Sequence, residues 1–266
     1  MNEENRDYLE VEVFGDPGLP TLVCLPGIHG DATMFAGFRH GIAGRLRLIE
    51  FAYPTTTTWS LDDYADAVYR ELEKRKVKAC WLLGESFGSQ VVWALIVRHA
   101  ESIGVRGVFL AGGFVQHPWL GGVDGLQWVF RQMPFWAYRG IVRAFELFAR
   151  VRFRRQPPIL ARMDEFVANR TEPDRQAVLH RLTLIRHADF REPVRALDLP
   201  IVYLTGLADP IVFWPPVYEW LRDEAQSFRR WRLFWYADHN VLNGAAAACA
   251  EEVVSGVESG LDGVED

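Results

Sequence analysis

Between an apolar run and a helical pattern the chain reads Gly84-Glu85-Ser86-Phe87-Gly88, in the context WLLGESFGSQVVWAL. Glycines two residues to either side of a serine suit a tight strand-to-helix turn, where side chains would strike the neighbouring elements. Such a turn can be a plain chain reversal. It can also lift the Ser86 hydroxyl clear of the backbone and let the following helix aim unpaired N–H groups at a developing oxyanion. A serine hydroxyl is a weak nucleophile at neutral pH. It needs an imidazole to take its proton and a buried carboxylate to hold that imidazole in the right tautomer. Two later stretches supply these groups: Asp209 in GLADPIV and His239 in ADHNVL. Asp238 competes for the carboxylate role. A sequence neighbour is poorly placed to reach round to the far ring nitrogen of His239, so Asp209 is the expected partner.

Each of these residues needs an element to hold it. Alternation over residues 8–14 predicts a half-buried strand, GDPGLP is turn chemistry, and TLVCLPG is a continuous apolar strand expected to pair with the first. Further strands are expected over residues 45–53, 80–84, 105–113, 199–206 and 228–236. Ser60 caps a helix expected to run to about Lys74, with Leu61, Tyr64, Ala65, Val68 and Leu72 on one face. Other helices are expected over residues 87–99 and from about Asn243. Alternating strands and helices imply a mostly parallel sheet covered on both faces. The connection from Gly113 to Leu199 spans more than eighty residues, far beyond an ordinary crossover of roughly a dozen. Residues 1–114 and 188–266 are therefore read as one α/β core and residues 115–187 as an inserted helical cap, with Ile141, Phe145, Leu147 and Phe148 carrying its periodicity.

Ser86 follows the strand CWLLG, Asp209 the strand IVYLTG and His239 the strand RWRLFWY, while LPGIHGD follows TLVCL. With these four features in this order, the chain resembles the α/β-hydrolase superfamily over nearly its whole length. The resemblance implies an α/β-hydrolase fold and a triad of Ser86, Asp209 and His239, with no metal or organic cofactor. It also implies an oxyanion hole made by the backbone N–H groups of Phe87 and Ile28. Pro26 stands where that superfamily most often has histidine, and His29-Gly30 comes later, which leaves the loop register open by about two residues. His29 can equally line the pocket, Glu85 reads as a hydrogen-bonding neighbour of the nucleophile, and Asp31 and Thr33 carry no assigned role. His40, His99, His117, His180 and His187 are expected on the surface or in packing. The implied activity is that of a serine esterase or thioesterase forming an acyl-enzyme. An acyltransferase is the alternative enzyme, if aromatics such as Trp128, Phe130, Phe135 and Trp136 exclude water from the site. A binding module that has lost its chemistry is the non-enzyme alternative. A haloalkane dehalogenase is disfavoured because Ser86 stands where its aspartate would be.

Length and composition agree with one large domain: 266 residues, 49% hydrophobic. Cys24, Cys80 and Cys249 are odd in number and have no metal-ligand spacing, so neither a disulfide framework nor a zinc site is expected. The start MNEENRDYLE lacks the pattern of a signal peptide, and no apolar run is long enough to cross a bilayer. A cytoplasmic protein is expected. Net charge is −6, yet residues 115–195 hold 14 Arg against 8 Asp plus Glu. Arginines interleaved with aromatics there suit nucleic acid, an anionic membrane or a greasy substrate with a negative group, or simply a helical insert with solvated arginines. The expected partner is a small ester or thioester with an apolar acyl chain, and no nucleic acid.

Overall fold

In the computed structural model, which describes residues 7–152, 154 and 157–261, seven strands form one sheet in the order β1-β3-β2-β4-β5-β6-β7. The strands are β1 (Glu10–Phe14), β2 (Thr21–Leu25), β3 (Arg47–Ala52), β4 (Cys80–Glu85), β5 (Val105–Ala111), β6 (Ile201–Gly206) and β7 (Phe228–Phe234). All neighbouring pairs are parallel except β1 with β3. The two opening strands therefore do not pair with each other as expected. Strand β2 is apolar on both faces and takes an interior place between β3 and β4, whereas the half-exposed β1 can cover only the edge.

Alternation along the interior strands builds two cores. Val23, Leu25, Leu82, Val108, Leu110, Ile201 and Tyr203 pack on one face, against α2 (Leu61–Lys74) and α3 (Gly88–Ile103). Leu22, Cys24, Leu83, Phe109, Ala111, Val202 and Leu204 pack on the other. That second face is covered by α1 (Ala36–Ile42), through Phe38 and Ile42, and by the C-terminal helix Ala246–Ser259. Helix α2 starts as expected at a capping box: Ser60 Oγ accepts the Asp63 N–H at 3.2 Å, and the Asp63 carboxylate accepts the Ser60 N–H at 2.8 Å.

Between β5 and β6 the chain forms α4 (Leu120–Gln132), α5 (Phe135–Arg152), α6 (Pro157–Ala168) and α7 (Glu172–His187), followed by the short α8 (Arg191–Arg195). Arg175 joins the first and last of the four long helices by donating to the carbonyls of Phe130 and Met133. Trp128 and Trp136 face solvent, 65% and 78% exposed, so neither shields the interior of the molecule. Helix α9 (Trp214–Glu224) links β6 to β7, and the one-turn α10 (Val241–Gly244) precedes the last helix, α11. Among the described residues, no helix is long and apolar enough to cross a membrane.

Candidate active site

The strand order reverses beside β2, since β3 lies on one side of it and β4 on the other. A crevice opens at the carboxyl ends of strands at such a switch point. Ser86 leaves β4 there with φ of +50°, a left-handed backbone that a serine adopts only under constraint. Its N–H donates to Ala111 O at 3.0 Å, and helix α3 begins two residues later. The flanking glycines are required by close approach. A Cβ on Gly84 would sit 2.7 Å from Ser89 Cα, and one on Gly88 would sit 2.1 Å from Leu25 O.

Asp209 follows β6 and its side chain is fully buried. Its Oδ1 accepts the N–H groups of Ile211 and Val212 at 2.8 and 2.9 Å. Its Oδ2 lies 2.8 Å from His239 Nδ1, which joins the loops after β6 and β7. The ring of His239 packs on Gly112 at the end of β5, where a Cβ would come within 3.1 Å of Nδ1. Ser86 and His239 thus flank the same stretch, Ala111-Gly112. With Nδ1 taken by Asp209, Nε2 remains the ring nitrogen able to serve as a base. Among the described residues, the Ser86 hydroxyl has no hydrogen-bond partner, His239 included. Catalytic hydrogen bonds of this kind commonly tighten only around substrate. Burial pulls the His239 pKa down, but the hydrogen bond and charge of Asp209 outweigh it and hold the imidazole above its ordinary value. The Asp238 carboxylate accepts the Asn240 N–H at 3.0 Å.

The loop after β2 completes the site. Gly27 N–H donates to Glu85 Oε2 at 3.0 Å, and a Cβ on Gly27 would stand 3.5 Å from Ser86 Cβ. Gly30 N–H donates to Gly27 O at 2.9 Å, closing a tight turn over Gly27-Ile28-His29-Gly30. Among the described residues, neither the Ile28 nor the Phe87 N–H donates to a protein acceptor. Burial pushes the Glu85 carboxyl up to about 7, against the opposing influence of His239 and of the Gly27 N–H. Beside Asp209 and His239 opens a cleft of about 400 Å³ bordered by Phe148, Val151, Ala208, Tyr236, Ala237 and Asp238. Its lining is mainly apolar, and two of its residues come from α5. Among the described residues, no group of three or more His, Cys, Asp or Glu side chains is arranged to hold a metal ion.

The structure brings Ser86, Phe87, Ile28, Asp209 and His239 to one edge of the sheet. It also reveals a polar cluster that the sequence did not point to. Reading the arginines between β5 and β6 as solvated fails for three of them: Arg170, Arg175 and Arg181 are buried. Arg170 binds Asp31 at 2.7 Å and Asp174 at 3.2 Å, and His29 Nδ1 lies 3.6 Å from Asp174. Asp31 thus gains a role, as a partner of Arg170 and Thr33. His117 is buried, accepts the Trp119 N–H at 3.2 Å and stacks edge-on against Phe114, in keeping with a packing role.

A model of the alpha/beta hydrolase family matches residues 22–252. The chain belongs to this family. Family membership supports a hydrolase role. Two curated relatives are named 2-succinyl-6-hydroxy-2,4-cyclohexadiene-1-carboxylate synthase. The one from Klebsiella pneumoniae is 26% identical over 219 residues, and the one from Escherichia coli 28% over 208; each alignment covers 73% of this chain and 80% of the relative. Among solved structures, an esterase from Exiguobacterium antarcticum superposes with a TM-score of 0.75 at 17% identity, covering 95% of this chain and 96% of its own. The enol-lactonase from Burkholderia xenovorans gives 0.73 at 17% identity, covering 94% and 96%. These two likenesses establish the shared fold.

Proposed function

We propose that the protein is a serine hydrolase that cleaves a carboxylic ester or thioester with an apolar acyl group through an acyl-enzyme on Ser86. The observation that carries this reading is the 2.8 Å Asp209–His239 pair standing at the same sheet edge as Ser86 on its strained turn. His239 Nε2 takes the Ser86 proton as Oγ attacks the acyl carbon. The resulting oxyanion is received by the Ile28 and Phe87 N–H groups, which among the described residues are otherwise without acceptors. Collapse expels the alkoxide or thiolate, protonated by His239, and leaves the acyl group on Ser86. Water then gives its proton to His239, attacks the acyl carbonyl and releases the acid. Residues 115–187 act as the cap in this reading, and contribute Phe148 and Val151 to a mainly apolar cleft next to the loops that carry Asp209 and His239.

The test combines a fluorophosphonate label, mass spectrometry of the modified peptide and a series of p-nitrophenyl and coenzyme A acyl esters. Label is expected on Ser86 and absent from Ser86→Ala. Rates are expected to rise from acetyl to octanoyl, because each buried methylene contributes about 0.8 kcal/mol. Labelling at Ser89 instead would overturn the assignment, and a flat or falling chain-length profile would remove the apolar acyl pocket. The names of the two curated relatives favour a second reading, in which the chain makes a ring carboxylate and cleaves no ester. No acyl group would then be trapped on Ser86 with any member of the ester series.

A further inference from the structure

Arg181, on α7, is wholly buried, and among the described residues no carboxylate pairs with it. Its Nε donates to Tyr64 Oη at 3.2 Å, its Nη1 to Ile28 O at 2.8 Å and its Nη2 to Pro54 O at 2.7 Å. The guanidinium lies 5.4 Å from the ring centroid of Tyr53. A buried cation is costly to desolvate, and here two backbone carbonyls and a phenol oxygen take the place of a carboxylate partner. What the charge does is fix a backbone.

Two peptide planes meet at Ile28. The Gly27–Ile28 plane is held on one side by the bond from Gly30 N–H to Gly27 O, at 2.9 Å. The Ile28–His29 plane is held by Arg181 through Ile28 O. A hydrogen bond on each plane restrains φ and ψ of Ile28 together, and with them the direction of its N–H. The turn is built around this contact: Gly30 has φ of +79°, and a Cβ there would stand 2.8 Å from Arg181 Nη1. Two more contacts tie the same loop to the same part of the insert. Arg170 binds Asp31, and Asp174, also on α7, lies against His29.

We propose that Arg181 is a positioning residue for the oxyanion loop, through which helix α7 of the insert sets the direction of the Ile28 N–H. The proposal rests on the reading of Ile28 as an oxyanion donor. It makes the active site dependent on the docking of α7: when α7 lifts from the loops after β2 and β3, the oxyanion loop loses its anchor, so acylation and seating of α7 are coupled.

The experiment uses the full-length protein and three variants, Arg181→Lys, Arg181→Met and Arg181→Ala. It measures thermal stability, kcat and KM on a p-nitrophenyl ester, and hydrogen exchange at the amides of Gly30 and Tyr53, which close the turn and bind Gly30 O. In variants that stay folded, kcat is expected to fall about 10²-fold, the scale of losing one oxyanion donor, with KM within about threefold of the parent. Exchange at Gly30 and Tyr53 is expected to quicken about tenfold or more while the strands stay protected, following local rather than global opening. Added guanidinium ion is expected to restore kcat in Arg181→Ala. Unchanged exchange at the turn overturns the proposal whatever the activity. So does unchanged kcat in a folded variant, or a loss of kcat that merely follows the loss of thermal stability. If the parent enzyme cleaves no ester and takes no label at Ser86, the proposed function fails separately, and the exchange measurement still decides whether Arg181 holds the loop.

Discussion

A carboxylate orients an imidazole only when it meets the ring nitrogen remote from the substrate, and Asp209 does so at 2.8 Å while its other oxygen is held by two backbone N–H groups. Asp209→Asn keeps the shape but loses the charge and the tautomer, so kcat is expected to fall about 10⁴-fold with folding intact. Asp238, engaged with Asn240 N–H, is expected to cost about tenfold or less when changed to Asn, as for a group that acts through the ligand it supports. Steady-state kinetics on the two variants decides between them, and the reverse order of losses would displace Asp209. Glu85 makes a different demand. A carboxyl whose pKa is higher folded than unfolded favours folding while protonated; that contribution is complete below about 4.5 and is lost as pH rises through about 7. Above neutrality the native state therefore carries a buried ionised carboxylate. Glu85→Gln retains an oxygen for Gly27 N–H and is expected to be more stable than the parent at pH 8. The gain is at most about 3 kcal/mol, at about 1.4 kcal/mol per pK unit, and vanishes near pH 4.5. Urea unfolding at both pH values checks it; equal stability of the two proteins at pH 8 as well as at pH 4.5 would mean that folding does not raise the Glu85 carboxyl.

The strand-to-helix turn shows how far an element can be read from its letters. Gly84 and Gly88 were expected to avoid steric collision, and the built contacts name the obstacles: Ser89 for the first and the Leu25 carbonyl for the second. Gly88→Ala would press a methyl into the backbone of β2. It is expected to cost about 3 kcal/mol or more and to lower Tm by roughly 6 °C or more. Gly125→Ala on α4, where among the described residues an added Cβ would meet nothing within 4 Å outside its own helix backbone, serves as the control and is expected to be neutral or slightly stabilising in the same thermal melts. The interior strands were legible because apolar residues on both faces leave few other places for them. The partner of β1 was not, since alternation says which face is buried but not which neighbour supplies the hydrogen bonds. Helix α9 was also missed: its first turn holds two prolines and it is only 11 residues long, so its periodicity is weak. The buried arginines between β5 and β6 escaped for another reason. Arginine is usually exposed, and the acceptors of Arg181 are a phenol and backbone carbonyls more than a hundred positions away, which leave no pattern in the letters.

At the scale of the whole molecule, the excess length between β5 and β6 and its positive balance could be read from the letters, but not how the helices formed there pack. What the topology adds is that β5 and β6 are adjacent in the sheet, paired from Val108↔Ile201 to Ala111↔Leu204, although four long helices separate them in the chain. Ser86, Phe87 and Ile28 all precede that excursion; Asp209 and His239 follow it. The site is therefore divided between two stretches of polypeptide whose covalent link runs through α4 to α8. A gene split between α5 and α6 would give two polypeptides, each with whole strands and neither with both nucleophile and base. Expressed together, they are expected to reassemble along the β5–β6 seam and take a fluorophosphonate at Ser86, while each alone takes none; label on the N-terminal piece by itself would show that Ser86 is activated without His239. Because Arg181 travels with the second piece and Ile28 with the first, the pair would behave as a two-component enzyme whose oxyanion loop is finished only at association.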